Sequence, residues 1–459
     1  MNKIYYLIVA FVMGLGAGHA QQFKEFTIKC SDGVERPYVI YDRDQGAENR
    51  EQGTGSREQG AGNREQGTGS KSEKRAARGE KKPLLVFLHG AVSAPAVKAD
   101  PVGYAKKWPL IALADKGDFY VLFPFGQKGA EWFDSVGQQM VLSAIETVKG
   151  QYPIDEDRVF ISGFSDGGSG VYCFAMQHPE PFAGFIAMKG SVKVANMLSK
   201  AGLYPENTNG RPLYIINTKG DVLYPLDQMQ AAADILKKYN PNVTFRALEG
   251  AHDMSYLPAE SEGLLSFIKN NKRTMPTKFS WEADDVSNSG FAWLKLKQLD
   301  TLVEAKPWQQ PYKDKVMNNK ADFGVKYDYM YKGKGLRVAG FKNDTVTARK
   351  MGIEKGDVLL KMEQDSLTSP FVPMYYAAKK KAGEPTTLTF GRTGKVQTVS
   401  EHFNAGYPYY LIKNKHKSGK VEAEIRGKTL YVKTSRVKAY EVDKKVLKKL
   451  GAKKVVDDE

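Results

Sequence analysis

Ser162-Gly163-Phe164-Ser165-Asp166-Gly167-Gly168 is the stretch on which the reading of this chain turns. The run 158–162 that leads into it reads as a short buried strand, and 167–177 after it reads as a helix. A serine set between a strand and a helix in a Gly-x-Ser-x-Gly pattern must occupy a very tight turn. Its own backbone is strained there, and the residues two before and two after must be small to avoid collision. Gly163 and Gly167 meet that requirement. A helix starting at Asp166 directs the positive end of its dipole at the serine, where it favours developing negative charge.

A serine hydroxyl is a weak nucleophile unless a base takes its proton and a third group holds the base. In this strand-turn-helix setting the acid and then the histidine follow the serine along the chain. Asp221 comes just after a predicted strand, 213–218, and His252 just after another, 244–248. Both then lie at strand C-terminal ends, on the edge that carries Ser165, and Gly220 and Gly250 let each loop bend inward. The expected roles are Ser165 as nucleophile, His252 as base and Asp221 as the acid that orients the base. Asp253 is a rival acid, but as the immediate neighbour of the histidine it is poorly placed to orient it, and Glu249 is a weaker rival. His178, before Pro179 at a helix end, reads as structural, and His402 and His416 fall outside the α/β region. Acyl transfer also needs amide donors for an oxyanion, each worth roughly 3 kcal/mol. The Asp166 amide is one candidate. The other is the Ala91 amide, in the loop Leu88-His89-Gly90-Ala91 that ends the first buried strand, 84–88. His89 precedes the serine and reads as shaping that loop. Trp132 and Phe133 fit either a pocket wall or the core.

Around these residues the pattern alternates. A helix is expected near 104–115, a strand at 120–124, a helix at 135–150, strands at 184–188 and 213–218, a helix at 226–239, a strand at 244–248 and a last helix at 260–269. That alternation gives a doubly wound, mostly parallel α/β sheet. Right-handed crossovers place its strand C-terminal ends on one edge, where open α/β sheets keep their sites. Between strand-like 36–41 and 84–88 lies 45–82, in which Arg-Glu-Gln-Gly recurs at Arg50, Arg57 and Arg64. The segment has no large apolar residue to offset ordering entropy, and its glycines exclude a coiled coil, so it is expected to be a mobile loop. Such an insertion costs little when its ends already lie close together.

At 459 residues the chain has room for two or three domains, and 41% hydrophobic residues can form a sizeable core. The formal charge of +16 comes from lysines thickest in the last third, with no aromatic-interleaved basic motif, so no nucleic-acid partner is expected. Residues 1–20 read as a secretory leader cut after Ala20, and no later apolar run is long enough to span a bilayer. The expectation is an exported chain, periplasmic or extracellular, with no transmembrane segment. Cys30 and Cys173 read as two buried, unpaired thiols, although an oxidising compartment permits a disulfide. No Cys or His cluster has metal-ligand spacing, so neither metal nor cofactor is expected.

After Thr274 the texture becomes lysine-rich and strand-rich. Residues 279–298 and 421–442 are expected to pair as a small β module around a compact middle part. The expected division is 21–273 for the α/β part with its 45–82 insertion, 274–320 and 401–459 for the two halves of the β module with a basic tail, and 321–400 between them.

The segments Phe87-Leu88-His89-Gly90 and Gly163-Phe164-Ser165-Asp166-Gly167-Gly168, with the Asp221 and His252 loops, resemble the α/β-hydrolase superfamily. They look most like its secreted esterase branch, with polyhydroxybutyrate-depolymerase-like and feruloyl-esterase-like proteins, and like dienelactone-hydrolase or phospholipase/carboxylesterase-like proteins. The resemblance spans roughly 23–271 without the repeat and implies hydrolysis of a small-molecule or polymer carboxylic ester through an acyl-enzyme. The prolyl-oligopeptidase-like branch has a comparable turn, so a serine peptidase stays open, as does a binding protein. Asp322-Phe323-Gly324-Val325, Gly335-Leu336-Arg337-Val338 and 348–359 resemble a PDZ domain of the bacterial protease-associated type. That resemblance implies a Phe323-Gly324-Val325 loop whose amides hold a peptide's terminal carboxylate beside a free strand edge.

Overall fold

The computed structural model describes residues 22–44, 80–93, 99–287 and 290–458. The expected leader and nearly all of the Arg-Glu-Gln-Gly repeat lie outside the described residues. The first part of the chain builds an eight-stranded sheet. Its strands are β1 (Phe23–Lys29), β2 (Glu35–Tyr41), β3 (Lys82–Leu88), β4 (Tyr120–Pro124), β5 (Ile154–Phe164), β6 (Gly184–Met188), β7 (Leu213–Thr218) and β8 (Val243–Leu248). Their spatial order is β1-β2-β4-β3-β5-β6-β7-β8. Antiparallel β1 and β2 lie at one edge, and from β4 to β8 every pairing is parallel.

Strand β3 shows why the sheet needs helices on both faces. Leu84, Val86 and Leu88 belong to one core cluster and Leu85 and Phe87 to the other, each fully or almost fully buried. Alternate side chains of a strand point to opposite faces, so a strand apolar at every position must be covered twice. Helices α1 (Pro101–Lys106) and α2 (Leu110–Gly117) are followed by α3 (Ser135–Gln151), α4 (Asp166–Gln177), α5 (Val192–Leu198), α6 (Leu226–Tyr239) and α7 (Leu257–Asn270). Val141, Ala144, Ile145 and Val148 of α3 cover the first face, and Leu110, Leu113, Leu264 and Ile268 of α2 and α7 the second.

The structure corrects the expected elements in two places. The single helix expected over 104–115 is two, because Pro109 has no amide to donate and disfavours helical backbone at Trp108. Helix α5, absent from the sequence expectation, supplies the crossover that makes β6 and β7 parallel. At seven residues it is too short for a helical period to show. The two ends of the insertion meet: Lys82 Nζ sits 2.5 Å from Asp44 and 2.6 Å from Asp118. Cys30 and Cys173 are both buried and unpaired.

Beyond the sheet the chain forms smaller antiparallel units. Strand β9 (Lys278–Ala283) pairs with β20 (Gly419–Arg426), setting Trp281 opposite Val421. Strand β11 (Leu294–Leu299) pairs with β22 (Val437–Val442), setting Leu294 opposite Val442. Together with β21 (Thr429–Ser435) they enclose a core of Phe279, Trp281, Trp293, Leu296 and Val432. Strand β12 (Lys315–Asn318) pairs instead with β19 (Tyr407–Tyr410), and this ribbon lies on α6, where Gln228 Nε2 donates to Asn318 at 3.1 Å.

Residues between β12 and β19 form a six-stranded antiparallel sheet with its own core of Phe323, Val338, Ile353, Leu359, Leu388 and Phe390. Met351 to Val358 is a helix end and tight turn: Gly352 and Gly356 take φ of 73° and 97° before strand β15 (Val358–Met362). Of the loop expected to receive a peptide carboxylate, Phe323 is buried and Val325 opens strand β13 (Val325–Tyr327). The Gly324 amide already donates to the Asp322 carboxylate at 2.9 Å.

Candidate active site

Ser165 closes the turn between β5 and α4 with φ 59° and ψ −115°, a conformation an L-residue rarely adopts. Its amide donates to the Met188 carbonyl of β6 at 3.0 Å, and its carbonyl accepts the Ser169 amide at 2.9 Å. Gly163 has to be glycine: a Cβ there would lie 2.3 Å from the Gly167 carbonyl oxygen.

The strand order brings the two loops expected to serve Ser165 against it. His252 Nε2 stands 2.9 Å from Ser165 Oγ, and His252 Nδ1 stands 2.7 Å from Asp221 Oδ2. A carboxylate only accepts, so Nδ1 carries the proton and Nε2 is free to accept from the serine hydroxyl. The Asp221 side chain is wholly buried. Its Oδ1 accepts the Leu223 and Tyr224 amides at 2.9 and 3.0 Å, which compensates the burial of the charge. The His252 ring lies between the rings of Phe164 and Tyr224, at 5.2 and 5.5 Å, and stays partly open to solvent.

The rival acids are engaged elsewhere. Asp253 Oδ1 accepts the Ser255 amide and hydroxyl at 3.0 and 2.6 Å, and Glu249 pairs with Lys219. His178 is held at 3.1 Å by Gln138 on α3, and burial pushes it down to about 4, so it is neutral at pH 7. His89 is buried beside Tyr104 and Trp132, its Nδ1 on the Gly90 carbonyl at 2.8 Å, and burial lowers its pKa. Trp132, wholly buried, donates to the His89 carbonyl at 2.9 Å and belongs to the core, while Phe133, 3% exposed, packs on that core and lines a cavity of about 410 Å³ away from Ser165.

The Asp166 amide is at the first position of α4, where a helix leaves its amides without internal acceptors. The Asp166 carboxylate accepts the Val92 amide at 3.2 Å and so ties the loop after β3 to the start of α4. In that loop Ala91 takes φ 49° and is exposed. Neither the Ala91 nor the Asp166 amide has a hydrogen-bond acceptor among the described residues.

One basic side chain stands against this site without a sequence motif to mark it. Lys189 follows β6, is wholly buried, and donates from Nζ to the carbonyl of Ala251, the residue before His252. A lysine closing an otherwise apolar strand was the available signal. Among the described residues no group of three or more His, Cys, Asp or Glu could hold a metal ion, and no helix is long and apolar enough to cross a membrane. Cavities of about 480 and 410 Å³ lie elsewhere, and neither is lined by Ser165, Asp221 or His252.

Residues 127–284, which include all three side chains, match the prolyl oligopeptidase family. The chain is 34% identical over 111 residues to a bifunctional acetylxylan esterase/xylanase of Neocallimastix patriciarum, a match covering 24% of this chain and 16% of that protein. It is 30% identical over 133 residues to poly(3-hydroxyalkanoate) depolymerase C of Paucimonas lemoignei, covering 26% of this chain and 30% of that one. The matched segment thus spans less than a third of either relative. Among solved structures, a thermostable esterase aligns over 56% of this chain and 64% of its own at 21% identity and a TM-score of 0.40. A Pyrococcus furiosus esterase aligns over 56% and 95% at 16% identity and a TM-score of 0.39. With its mostly parallel sheet and the family match, the first part of the chain has the α/β-hydrolase fold.

Proposed function

We propose that the chain is an exported serine hydrolase that cleaves a carboxylic ester through an acyl-enzyme. The observation that carries this reading is the pair of hydrogen bonds linking Ser165, His252 and Asp221 at 2.9 and 2.7 Å. His252 Nε2 takes the Ser165 proton as Oγ attacks the ester carbonyl, and Asp221 stabilises the imidazolium that forms. The amides of Asp166 and Ala91 receive the oxyanion, each contributing roughly 3 kcal/mol, and the dipole of α4 adds to them. His252 then protonates the leaving alcohol, and water, activated by the same imidazole, releases the acid. The names of the two relatives, an acetylxylan esterase and a polyhydroxyalkanoate depolymerase, favour an ester substrate. The leader-like residues 1–20 favour export.

A second reading, a serine peptidase, is favoured by the match of 127–284 to the prolyl oligopeptidase family. In the ester reading the PDZ-like unit over 321–400 recruits a partner or steers access, and in the peptidase reading it captures a substrate C-terminus. Capture of a peptide carboxylate at Phe323-Gly324-Val325 would require Asp322 to give up the Gly324 amide. The test is labelling by a fluorophosphonate probe together with rates on p-nitrophenyl esters and on peptide amides. Labelling that vanishes in Ser165→Ala, with ester rates well above peptide rates, supports the ester reading. Equal labelling of wild type and Ser165→Ala defeats both readings.

A further inference from the structure

The loop that carries His252 has no regular structure from Gly250 to Ser255, so a few contacts must fix the imbalance between a placed and a misplaced imidazole. Three donors converge on one carbonyl, that of Ala251: the Asp253 amide at 3.0 Å, the Thr218 hydroxyl at 2.9 Å, and Lys189 Nζ. The first is local to the loop. The other two reach out from the ends of β7 and β6, the rigid sheet on which Ser165 is also anchored through Met188. Lys189 is the one charged donor of the three.

The position is costly to keep. Lys189 has φ 49°, in the left-handed region that a side chain strains. Its side chain is wholly buried, and among the described residues Asp221 and Asp253 act on it through their charge without a side-chain hydrogen bond. The groups facing it are the Tyr256 ring, 4.9 Å from Nζ at the start of α7, and the carboxylates of Asp221 and Asp253 farther off. An unpaired buried charge is generally a liability to stability, and an apolar side chain of similar volume would do as well or better there.

We infer that Lys189 is a positioning residue for the base: its ammonium holds the Ala251 carbonyl, and through it His252, against the sheet edge that presents Ser165. The inference rests on the hydrolase reading above. Charge-assisted hydrogen bonds are roughly twice as strong as neutral ones, so the clamp weakens when the ammonium loses its proton. Burial pulls Lys189 down to about 8, against the opposing pull of Asp221 and Asp253. The clamp is therefore at full strength below that pH and weakened above it. Asp253→Asn removes a charge that favours the ammonium and moves the loss to lower pH.

The test measures kcat, KM and fluorophosphonate labelling rate against pH on p-nitrophenyl acetate for wild type, Lys189→Met and Asp253→Asn. Wild type is expected to lose kcat with a midpoint near pH 8. In Lys189→Met kcat drops about ten- to a hundredfold at neutral pH, as sub-ångström misplacement of a base does, with KM little changed and Tm equal or higher. The alkaline decline is absent from that variant. In Asp253→Asn the midpoint moves down. A Lys189→Met enzyme with wild-type kcat, or with the alkaline decline intact, overturns the inference. If that variant does not fold, an Asp253→Asn midpoint that stays in place overturns it. A wild type that neither labels nor hydrolyses ester or amide instead defeats the hydrolase reading itself.

Discussion

Gly167, two residues beyond Ser165, packs so closely on β3 that a Cβ there would lie 1.9 Å from the Leu88 carbonyl oxygen. The start of α4 and the end of β3 therefore touch backbone to backbone, and this contact holds the serine turn beside the loop that carries Ala91. Gly167→Ala cannot be relieved by a side-chain rotation. It is expected to cost about 3 kcal/mol or more, at the upper end of overpacking, and to lower ester turnover by displacing Ser165. Urea unfolding with a parallel rate measurement checks both effects.

Asp221→Asn tests the orienting acid. The amide cannot replace both the charge and the acceptor pattern facing His252 Nδ1, Leu223 and Tyr224. Turnover is expected to fall on the order of 10³- to 10⁴-fold while the circular dichroism spectrum is kept. Asp253→Asn, measured in parallel at neutral pH, should cost less than about tenfold, because Asp253 does not touch the imidazole. A larger effect of Asp253→Asn than of Asp221→Asn would reassign the acid.

The repeat insertion is expected to be dispensable for hydrolysis. Lys82 joins both Asp44 and Asp118, so the ends of the insertion are held by folded structure on either side. Replacing 46–79 by a short glycine-serine linker should leave kcat/KM unchanged and shift stability by less than about 1 kcal/mol, since closure entropy depends only weakly on loop length. Lys82→Met in the full chain should cost more than that deletion, measured by thermal unfolding.

Acid should loosen the 321–400 unit through Asp357. Burial alone would raise this carboxyl, but Arg392, bound at 2.8 and 2.6 Å, and the Glu354 amide at 2.8 Å outweigh it and hold it below the usual carboxylate range. A depressed acid contributes stability at neutral pH that is lost as pH falls through its folded value. Stability of the wild-type chain should decline below about pH 4 more steeply than that of Asp357→Asn, which is less stable at pH 7. Tyrosine fluorescence followed against urea at several pH values reads the difference.

Much of the fold was legible because its signals are local. Tyr120–Pro124, Gly184–Met188, Leu213–Thr218 and Leu226–Tyr239 occur at the boundaries that periodicity gave them. Each is a mostly apolar strand buried at every position or a helix with one apolar stripe, patterns set by the geometry of a single element. The losses were short or interrupted elements: α5, with its seven residues, and the Trp108-Pro109 break between α1 and α2. The candidate triad is legible from motif context and chain order, but which carboxylate contacts His252 depends on where Asp221 and Asp253 point.

From the sequence alone came the choice of Ser165 as candidate nucleophile, because a strained strand-to-helix turn needs its glycines at fixed neighbouring positions. The alternation of the α/β sheet came from it as well, because side-chain period is a property of each element by itself. Tertiary structure alone decided that residues 31 and 87 positions apart in the chain come within hydrogen-bonding distance of His252. It alone brought Lys189 under the Ala251 carbonyl and gave the Gly324 amide to Asp322. Contacts of that kind depend on the order in which strands pack, and sequence spacing carries no record of that order.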